Sequence, residues 1–362
     1  MRIAFVSDAV YPYHKGGKEK RIFEISTGLA KKGHDVHIYT MKWWKGPQIK
    51  KENGLTLHAI SPYYKLYKKD GTRSITQALL FTAHLPKLIS EKFDIIEVDH
   101  MPYFPIFPTW LISKIKRKPF FVTWHEYWGN YWFDYLGSKG LFGYIIENLS
   151  AKLSTNINVV SRLTQRRLRK VTKNKMNYSP NGIDFNLIKK SKKKKSFDLL
   201  FAGRMIKEKN VSFLIDQVKS DYTLGIIGSG PELEKIKAKS KQYPNIEVLG
   251  MLPKIEDVYG YMKSAKLFAF PSEREGFGIA PLEAMACGTP TLVLKARDNA
   301  SMYLVDKEFI ATKENFKAKI DKFLKNPKKI NFEIKNYLWE NIINNLESNY
   351  MEALKWKSSL LH

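Results

Sequence analysis

Short apolar runs alternate with amphipathic stretches along most of this chain. Residues 2–8, RIAFVSD, form a run of strand type, and after the turn HKGG the next stretch places Ile22, Ile25 and Leu29 at helical spacing before Gly33. Further strand-type runs are β-branched or aromatic and are bounded by polar turns: DVHIYT, FDIIEVD, PFFVTWH and INVVS. This alternation predicts βαβ units built on a mostly parallel sheet.

The same pattern restarts at Phe197, after the lysine-rich segment NLIKKSKKKKS, which we interpret as a solvated linker or surface loop. Four strand-type runs follow, FDLLFAGR, TLGIIGSG, IEVLGM and KLFAFPS, and helical stretches separate them. Two facing, doubly wound α/β domains are therefore predicted. Ligands bind outside the carboxyl ends of the strands in such sheets, so the loops that follow strands are the candidates for chemistry.

Length and composition fit this organisation. The chain has 362 residues, too many for one ordinary core, and its 44% apolar content is ample for burial. The single cysteine, Cys287, lies among small residues, which indicates a reduced, packed thiol and a cytoplasmic protein. The most apolar window, residues 103–112, is broken by two prolines and predicts the start of a buried helix. No run approaches the ~20 apolar residues of a bilayer span, so we expect a protein that is soluble or peripheral to a membrane.

The net charge of +26 requires a reason. Residues 1–178 contain 30 basic and 13 acidic residues, a net +17, whereas residues 179–362 contain 31 and 22, a net +9. An excess of this size implies an anionic partner, such as nucleic acid, an acidic membrane or a phosphorylated substrate. Lysines that simply occupy solvated positions explain the charge equally well.

Two loops of the second half carry groups suited to phosphate. In FAGRMIKEKN, Gly203 permits close approach of a ligand, and Arg204 and Lys209 follow a strand. In IIGSGPELEKI, Gly228 and Gly230 permit a tight turn, and Pro231 suits the first turn of a helix whose free N–H groups would bind an anion. An ordinary turn and surface cations account for either loop taken alone, because G-x-G without a third glycine is no dinucleotide fingerprint.

A third loop sets two carboxylates around glycines, in PSEREGFGIAPLEAMACGTP. Glu275 precedes Gly276 and Gly278, and Glu283 lies near the start of the helix that follows. A glutamate there stabilises a helix dipole by ~0.3–1 kcal/mol without any other role. The bare backbone amides beside Glu275 favour instead an anion that also carries hydroxyl groups.

This third loop closely resembles the signature of the retaining glycosyltransferases of family 4, within the glycosyl transferases group 1. The segments FAGRMIKEKN and IGSGPELEKI are similar to the donor-binding loops of that family, YSPNGID to its entrance to the second domain, and GGKEKRIFEISTGLAKKGHDV to its first glycine loop and helix. The resemblance implies the GT-B fold: an acceptor domain (1–178), a nucleotide-sugar domain (179–335), a deep cleft between them, and a C-terminal helix (336–362) that returns to the first domain.

The resemblance also implies roles for individual residues. Arg204 and Lys209 would grip the diphosphate, Glu275 would bind the hydroxyls of the donor sugar, and Glu283 would bind the ribose. His125, which follows a strand in VTWHEYW, would lie near the donor sugar. The remaining donor-binding positions are small residues or backbone amides: Gly16, Gly17, Gly203, Gly228, Gly230, Pro231, Gly276, Phe277, Gly278 and Ile279.

The expected activity is transfer of a hexose from a UDP- or GDP-sugar to a glycan, polysaccharide or lipid-linked acceptor, with retention of configuration and without a metal or cofactor. Two departures from the family pattern concern the substrates: Glu126 stands where many members have aspartate, and LKARDNASMYLV replaces a stretch with paired glycines and a glutamate. No nucleic acid is expected as partner, whereas attachment to the inner face of an anionic membrane stays open.

Two alternatives to this activity remain. One is a basic, non-enzymatic protein that binds nucleic acid or an anionic membrane. The other is a glycoside hydrolase that uses both glutamates as acid and base.

Overall fold

The computed structural model describes residues 1–68, 72–328 and 330–359. The chain forms two compact units: the first contains residues 1–181 and the chain from Trp339 onwards, and the second contains residues 182–338. Within the predicted C-terminal helix 336–362, residues 360–362 lie outside the described residues. No helix in the described part is both long and apolar enough to cross a membrane.

The first unit is built on one twisted sheet that runs β3-β4-β2-β1-β5-β6-β7-β8. All neighbouring strands are parallel except β3 and β4, which form an antiparallel hairpin in a region where the sequence predicted no element. In chain order the strands are β1 (Arg2–Val6), β2 (Asp35–Met41), β3 (Ile49–Glu52), β4 (Leu55–Ser61), β5 (Ile95–Asp99), β6 (Phe120–Trp124), β7 (Asn156–Val159) and β8 (Lys175–Tyr178).

Helices cover both faces of this sheet because alternate residues of its strands are apolar on both sides. Ile3 and Phe5 of β1 belong to one buried cluster, and Ala4 and Val6 belong to the other. The helices connecting the strands are α1 (Gly17–Lys31), α2 (Ile75–Ala83), α3 (Ile106–Ile115), α4 (Tyr131–Leu136), α5 (Gly140–Leu153) and α6 (Arg162–Leu168). The predicted doubly wound arrangement is confirmed in this unit.

The second unit repeats the plan with a parallel sheet that runs β11-β10-β9-β12-β14-β16. A separate two-stranded ribbon joins β13 to β15 in parallel. The elements are α7 (Phe185–Lys190), β9 (Leu199–Ala202), α8 (Val211–Val218), β10 (Leu224–Ile227), α9 (Leu233–Ser240), β11 (Ile246–Gly250), α10 (Ile255–Ser264), β12 (Leu267–Phe270), β13 (Arg274–Glu275), α11 (Ile279–Ala286), β14 (Thr291–Leu294), β15 (Asp298–Asn299), β16 (Ile310–Ala311) and α12 (Phe316–Lys325).

The lysine-rich segment before β9 is not a linker between the units, as one interpretation of the sequence held. It lies inside the second unit, where α7 extends to Lys190. Beyond α7, Lys194 pairs with Asp257 at 2.7 Å and Lys195 pairs with Glu247. These lysines therefore belong to the surface of the second unit and do not form a free tether.

The last helix, α13 (Trp339–Ser359), belongs to the first unit and packs against α1. Ile343, Leu346 and Tyr350 of this helix are buried in the same cluster as Ile25 of α1. The Tyr350 hydroxyl donates to the buried carboxylate of Glu97 in β5. Helix α13 thus completes a buried cluster to which β1 and α1 also contribute.

Candidate functional site

Two loops at the carboxyl ends of β9 and β12 are tied together in the second unit. The backbone N–H of Glu273 donates to the Glu208 carbonyl at 2.9 Å, and the Ser272 hydroxyl donates to the same oxygen at 3.2 Å. Ser272 is fully buried, so this link is shielded from water. It fixes the loop that carries Lys209 beside the loop that carries Glu275.

Lys209 and Glu275, predicted from separate motifs, meet in a direct ion pair between Nζ and Oε2. The side chains are only 13% and 20% exposed, and the ammonium also lies 5.1 Å from the centre of the Phe270 ring. A cation and a carboxylate are thus held at one strand edge, the first suited to phosphate and the second to sugar hydroxyls. The Arg204 side chain is exposed, and its guanidinium has no hydrogen-bond or ion-pair partner among residues 1–68, 72–328 and 330–359.

The two glycines after β10 allow backbone to approach backbone. Gly228 has φ +140°, and a Cβ atom there would lie 1.8 Å from the Gly203 carbonyl oxygen. Gly230 has φ +153°, and its Cβ would lie 2.4 Å from the carbonyl oxygen of Met205. Both loops predicted to contact phosphate are therefore packed against each other through positions where only glycine fits.

The predicted place of Pro231 in the first turn of a helix is wrong. Pro231 does not lie in the first turn of α9, because the helix begins two residues later at Leu233. Two of the backbone N–H groups there are already bonded: that of Glu232 donates to the Met205 carbonyl at 3.0 Å and that of Leu233 donates to the Gly230 carbonyl at 3.0 Å. Pro231 closes a turn and leaves no free amides at these two positions for an anion.

The start of α11 carries unbonded amides close to Glu275. Gly278 caps this helix with φ +101°, and the N–H groups of Phe277, Gly278 and Ile279 donate to no acceptor in the described part of the chain. The Phe277 side chain is 4% exposed and lies 6.4 Å from the Tyr337 ring, between ring centres. The amides of these residues, together with the glycine backbone after Glu275, are therefore the groups available to an anion.

Glu283 is the fifth residue of α11, near the start of this helix. Tyr259 of α10, itself buried, donates its hydroxyl to Glu283 Oε1 at 2.9 Å. Burial and the Glu283 charge raise the pKa of Tyr259, so the tyrosine remains a donor. Burial, followed by the charge of Glu283, also raises the pKa of Cys287 to about 12, which keeps this thiol protonated.

Sequence reasoning missed the support beneath Glu275. The fully buried Asn299 donates to the Ser272 carbonyl at 2.9 Å and to the Leu294 carbonyl at 2.8 Å, and it accepts from the Ser301 amide at 3.0 Å. Asn299 lies in β15, the partner strand of Glu275. The stretch that departs from the family pattern, LKARDNASMYLV, thus builds the ribbon that positions the carboxylate. The sequence carried no signal for this role, because the burial of Asn299 is seen only in the structure.

A second polar cluster surrounds the start of α1 in the first unit. Gly16 caps this helix, and a Cβ there would lie 2.2 Å from Glu19 Oε2, whereas Gly17 is the first helical residue. The Lys18 ammonium donates to Asp8 Oδ1 at 2.9 Å, and Arg73 binds the other Asp8 oxygen. Burial alone would raise the pKa of Asp8, but the charges of Lys18 and Arg73 outweigh it and hold that pKa low.

His125, at the end of β6, lies in the same cluster. Its Nε2 is 3.0 Å from Asp99 Oδ1, and its backbone N–H donates to the His100 ring at 3.3 Å. Burial, followed by the charges of Arg21 and Lys18, lowers the pKa of His125 to about 3. Burial raises the pKa of Asp99 to about 7. His125 is thus a neutral imidazole whose orientation Asp99 fixes.

The aromatic loop after His125 is anchored by Glu147 of α5, a residue that the sequence reasoning did not select. The Trp128 and Gly129 backbone N–H groups donate to its carboxylate at 2.8 and 2.7 Å, and the Trp132 indole and the Tyr103 hydroxyl donate at 3.2 and 2.7 Å. Burial raises the pKa of Glu147 to about 7. The Tyr103 and Trp132 side chains and the backbone of the loop are therefore held around one buried carboxyl group.

Comparison with known proteins gives matches along the whole length. Residues 183–338 match the family described as glycosyl transferases group 1, and residues 15–187 match glycosyltransferase family 4. An uncharacterized glycosyltransferase of Haemophilus influenzae is 25% identical over 331 residues, 86% of this chain and 88% of that protein.

Solved structures agree in fold. Sucrose-phosphate synthase from Thermosynechococcus elongatus matches with a TM-score of 0.70 at 16% identity, over 99% of this chain and 98% of its own. Anabaena Alr3699/HepE in complex with UDP and glucose matches with a TM-score of 0.64 at 16% identity, over 100% and 99%. The predicted fold class, α/β with two Rossmann-like units of the GT-B type, is confirmed.

Proposed function

Since this chain belongs to the glycosyltransferases of group 1 and family 4, we propose that it transfers a hexose from a nucleotide sugar to an acceptor. The donor is a UDP- or GDP-sugar, and the acceptor is a glycan, a polysaccharide or a lipid-linked sugar. The anomeric configuration is retained. A neighbour in fold binds UDP and glucose, which supports the donor class.

One observation carries the proposal: Lys209 touches Glu275 beside unpaired amides at the start of α11. A diphosphate needs cations and N–H donors, and a helix start supplies both partial positive charge and donors. A sugar needs hydroxyl acceptors, which a carboxylate supplies. The second unit thus holds, on tied loops, complementary groups for both parts of a nucleotide sugar.

The proposed mechanism assigns the charge that develops on the leaving diphosphate to Arg204, Lys209 and the amides of residues 277–279. These groups take the place of a metal. The leaving phosphate accepts the proton of the attacking hydroxyl on the same face of the sugar, so no carboxylate acts as nucleophile. Glu275 orients the donor sugar, and Glu283 binds the ribose.

In the first unit, we assign His125 to the donor sugar as a neutral hydrogen-bonding group. Its orientation by Asp99, at 3.0 Å, leaves its other ring nitrogen to a ligand hydroxyl. A protonated histidine would bring a further charge beside Lys18, and the lowered pKa prevents this.

The first test is a thermal-shift panel with UDP, GDP, ADP and their sugars. A nucleotide that binds the folded chain raises its unfolding temperature by mass action. The active sugar nucleotide is then used to measure turnover. If no nucleotide shifts the transition while RNA or DNA does, the basic, non-enzymatic alternative replaces the enzyme.

Glu275→Gln is the decisive variant. Its matched control is Glu273→Gln, because Glu273 lies two positions before Glu275 in the same loop but pairs with Lys313. We expect Glu275→Gln to lower kcat/KM by roughly 10²-fold or more, the usual loss for a group that acts in the transition state, while the nucleotide still stabilises the chain. Glu273→Gln should remain near wild type. Equal turnover of the two variants, or a glycosyl ester trapped on Glu275, would contradict the mechanism.

A further inference from the structure

The first unit exposes an unusual amount of apolar surface on one group of helices. Of the nineteen large apolar side chains exposed in the described residues, thirteen lie between residues 75 and 149, a segment of about one fifth of the chain. They are Ile75, Leu79, Leu80, Ile89, Leu111, Ile115, Phe133, Tyr135, Leu136, Leu141, Phe142, Ile145 and Leu149. Scattered exposed leucines need no explanation, but a concentration of this kind marks an interaction site.

Helix α5 shows the pattern most clearly. Its inward face buries Glu147, Ser150 and Ala151. Its outward face repeats Leu141, Ile145 and Leu149 at four-residue spacing. Phe142 next to this stripe is 61% exposed. A helix on a water-exposed surface carries polar residues on its outer side, so α5 is apolar where water alone would favour charge.

The outward faces of the neighbouring helices belong to the same surface. Phe81 of α2, Ile112 of α3 and Ala151 of α5 are buried in one cluster on one side of the sheet. Helix α3 packs against α5 and against the short turn at residues 85–89, α2 packs against that turn, and α4 packs against α5. The exposed apolar side chains of these four helices therefore lie on one side of the sheet, and we call this surface the α2–α5 face.

Basic residues accompany the α2–α5 face. Lys114 and Arg117 are exposed at the end of α3, Lys139 is exposed just before α5, and Lys152 is exposed near the end of α5. Asp134 is the one exposed acidic residue in the described helices α2 to α5. Lysine is depleted from protein interfaces, whereas lysine and arginine beside an apolar helix face are typical of binding to the surface of an anionic bilayer.

We propose that the α2–α5 face docks on an anionic phospholipid bilayer. Leu141, Phe142 and Ile145 enter the headgroup region, and Lys139 and Lys152 contact lipid phosphates. The helices lie along the surface and do not span it, as expected for an apolar face of limited depth. The interaction needs no sugar nucleotide, so it stands or fails independently of the proposed transferase activity.

The first experiment is co-sedimentation with phosphatidylcholine vesicles, with and without phosphatidylglycerol, in the absence of nucleotide. The test variant is Leu141→Ser/Phe142→Ser/Ile145→Ser. The matched control is Met251→Ser/Ile255→Ser/Tyr303→Ser, which removes three exposed apolar side chains of the second unit. Thermal unfolding near that of wild type checks that each variant folds.

We expect wild type and control to bind vesicles that contain phosphatidylglycerol, more weakly at high salt. The test variant should lose at least about tenfold in partitioning, since each buried methylene contributes roughly fourfold. Lys139→Gln/Lys152→Gln should reduce the preference for phosphatidylglycerol by several-fold. Absence of wild-type binding at low salt, or equal binding of test and control variants, would overturn the proposal.

A second readout does not depend on loss of binding. In a Cys287→Ser background, Phe142→Cys carries an environment-sensitive fluorophore, and Met251→Cys carries the same label as control. The label at position 142 should shift to the blue with anionic vesicles and the control label should not. If wild type forms dimers, the triple serine variant is monomeric and no blue shift is seen, the α2–α5 face is a self-association surface instead.

Discussion

The close packing of backbone at Gly228 gives a sharp test of how the two phosphate-facing loops are held. A methyl group there would lie 1.8 Å from the Gly203 carbonyl oxygen, about half of a normal contact distance. A backbone carbonyl cannot swing away as a side chain does, and Gly203 is itself held by donation of its N–H to Ile227 at 3.0 Å. Gly228→Ala must therefore separate the two loops.

The expected loss of stability has two parts. The φ of +140° costs an alanine about 1–3 kcal/mol, and overpacking against a fixed neighbour costs a further ~1–3 kcal/mol. We therefore expect the second unit to lose about 3 kcal/mol. Gly250→Ala is the matched control, because Gly250 has φ +70° but no atom within 4 Å of its Cβ position. It should lose only the first part.

Thermal unfolding and hydrogen exchange of the β9 and β10 amides measure this difference. For a unit of this size, about 1 kcal/mol corresponds to ~2–4 °C in Tm, so Gly228→Ala should unfold several degrees below Gly250→Ala. Faster exchange should appear in β9 as well as β10, since both loops move. If the two variants are equal in Tm and exchange, the contact between the loops does not have the role described.

Two further predictions concern buried hydroxyl and carboxyl groups. Tyr259→Phe should cost the second unit about 1 kcal/mol of unfolding free energy, the typical value of one lost hydrogen bond, whereas Tyr261→Phe on the same helix should cost little; chemical denaturation compares them, and equal losses would contradict a role for the Glu283 contact. Asp99 has a pKa of about 7 in the folded chain against an ordinary 3.8, so the folded state binds the extra proton and the Asp99 contribution to stability falls as pH rises from about 4 to 7, whereas the lowered pKa of His100 and of His125 makes their contributions rise. Asp99→Asn should therefore gain stability relative to wild type as pH rises through this range, and a difference between the two chains that does not change with pH would refute the assignment.

The sequence predicted the elements that local patterns determine and missed those that depend on tertiary contacts. The strand-type run 2–6 and the helical spacing of Ile22, Ile25 and Leu29 became β1 and α1, because burial on a sheet imposes those periods. The hairpin of β3 and β4 escaped because IKKE carries three charges in four residues and has little apolar alternation.

In the candidate site, too, motifs predicted single residues but not their contacts. Lys209 and Glu275 were each selected from a motif, but their contact across 66 positions depends on the order of strands in the sheet. Pro231 was placed in a helix that starts later, because a turn and a helix start share the same residues. Glu147 and Asn299 were missed, since a buried polar residue is recognised only when its donors and acceptors are known.

The docking of α13 on the first unit has a consequence for synthesis of the chain. A ribosome releases the first eight strands long before Tyr350, yet the buried Glu97 of β5 receives its tyrosine partner only from this last helix. Residues 182–338 can complete their own sheet in the meantime. The first unit, although translated first, is therefore completed last, and a nascent chain that stops before Trp339 leaves the apolar side chains that α13 covers accessible to chaperones.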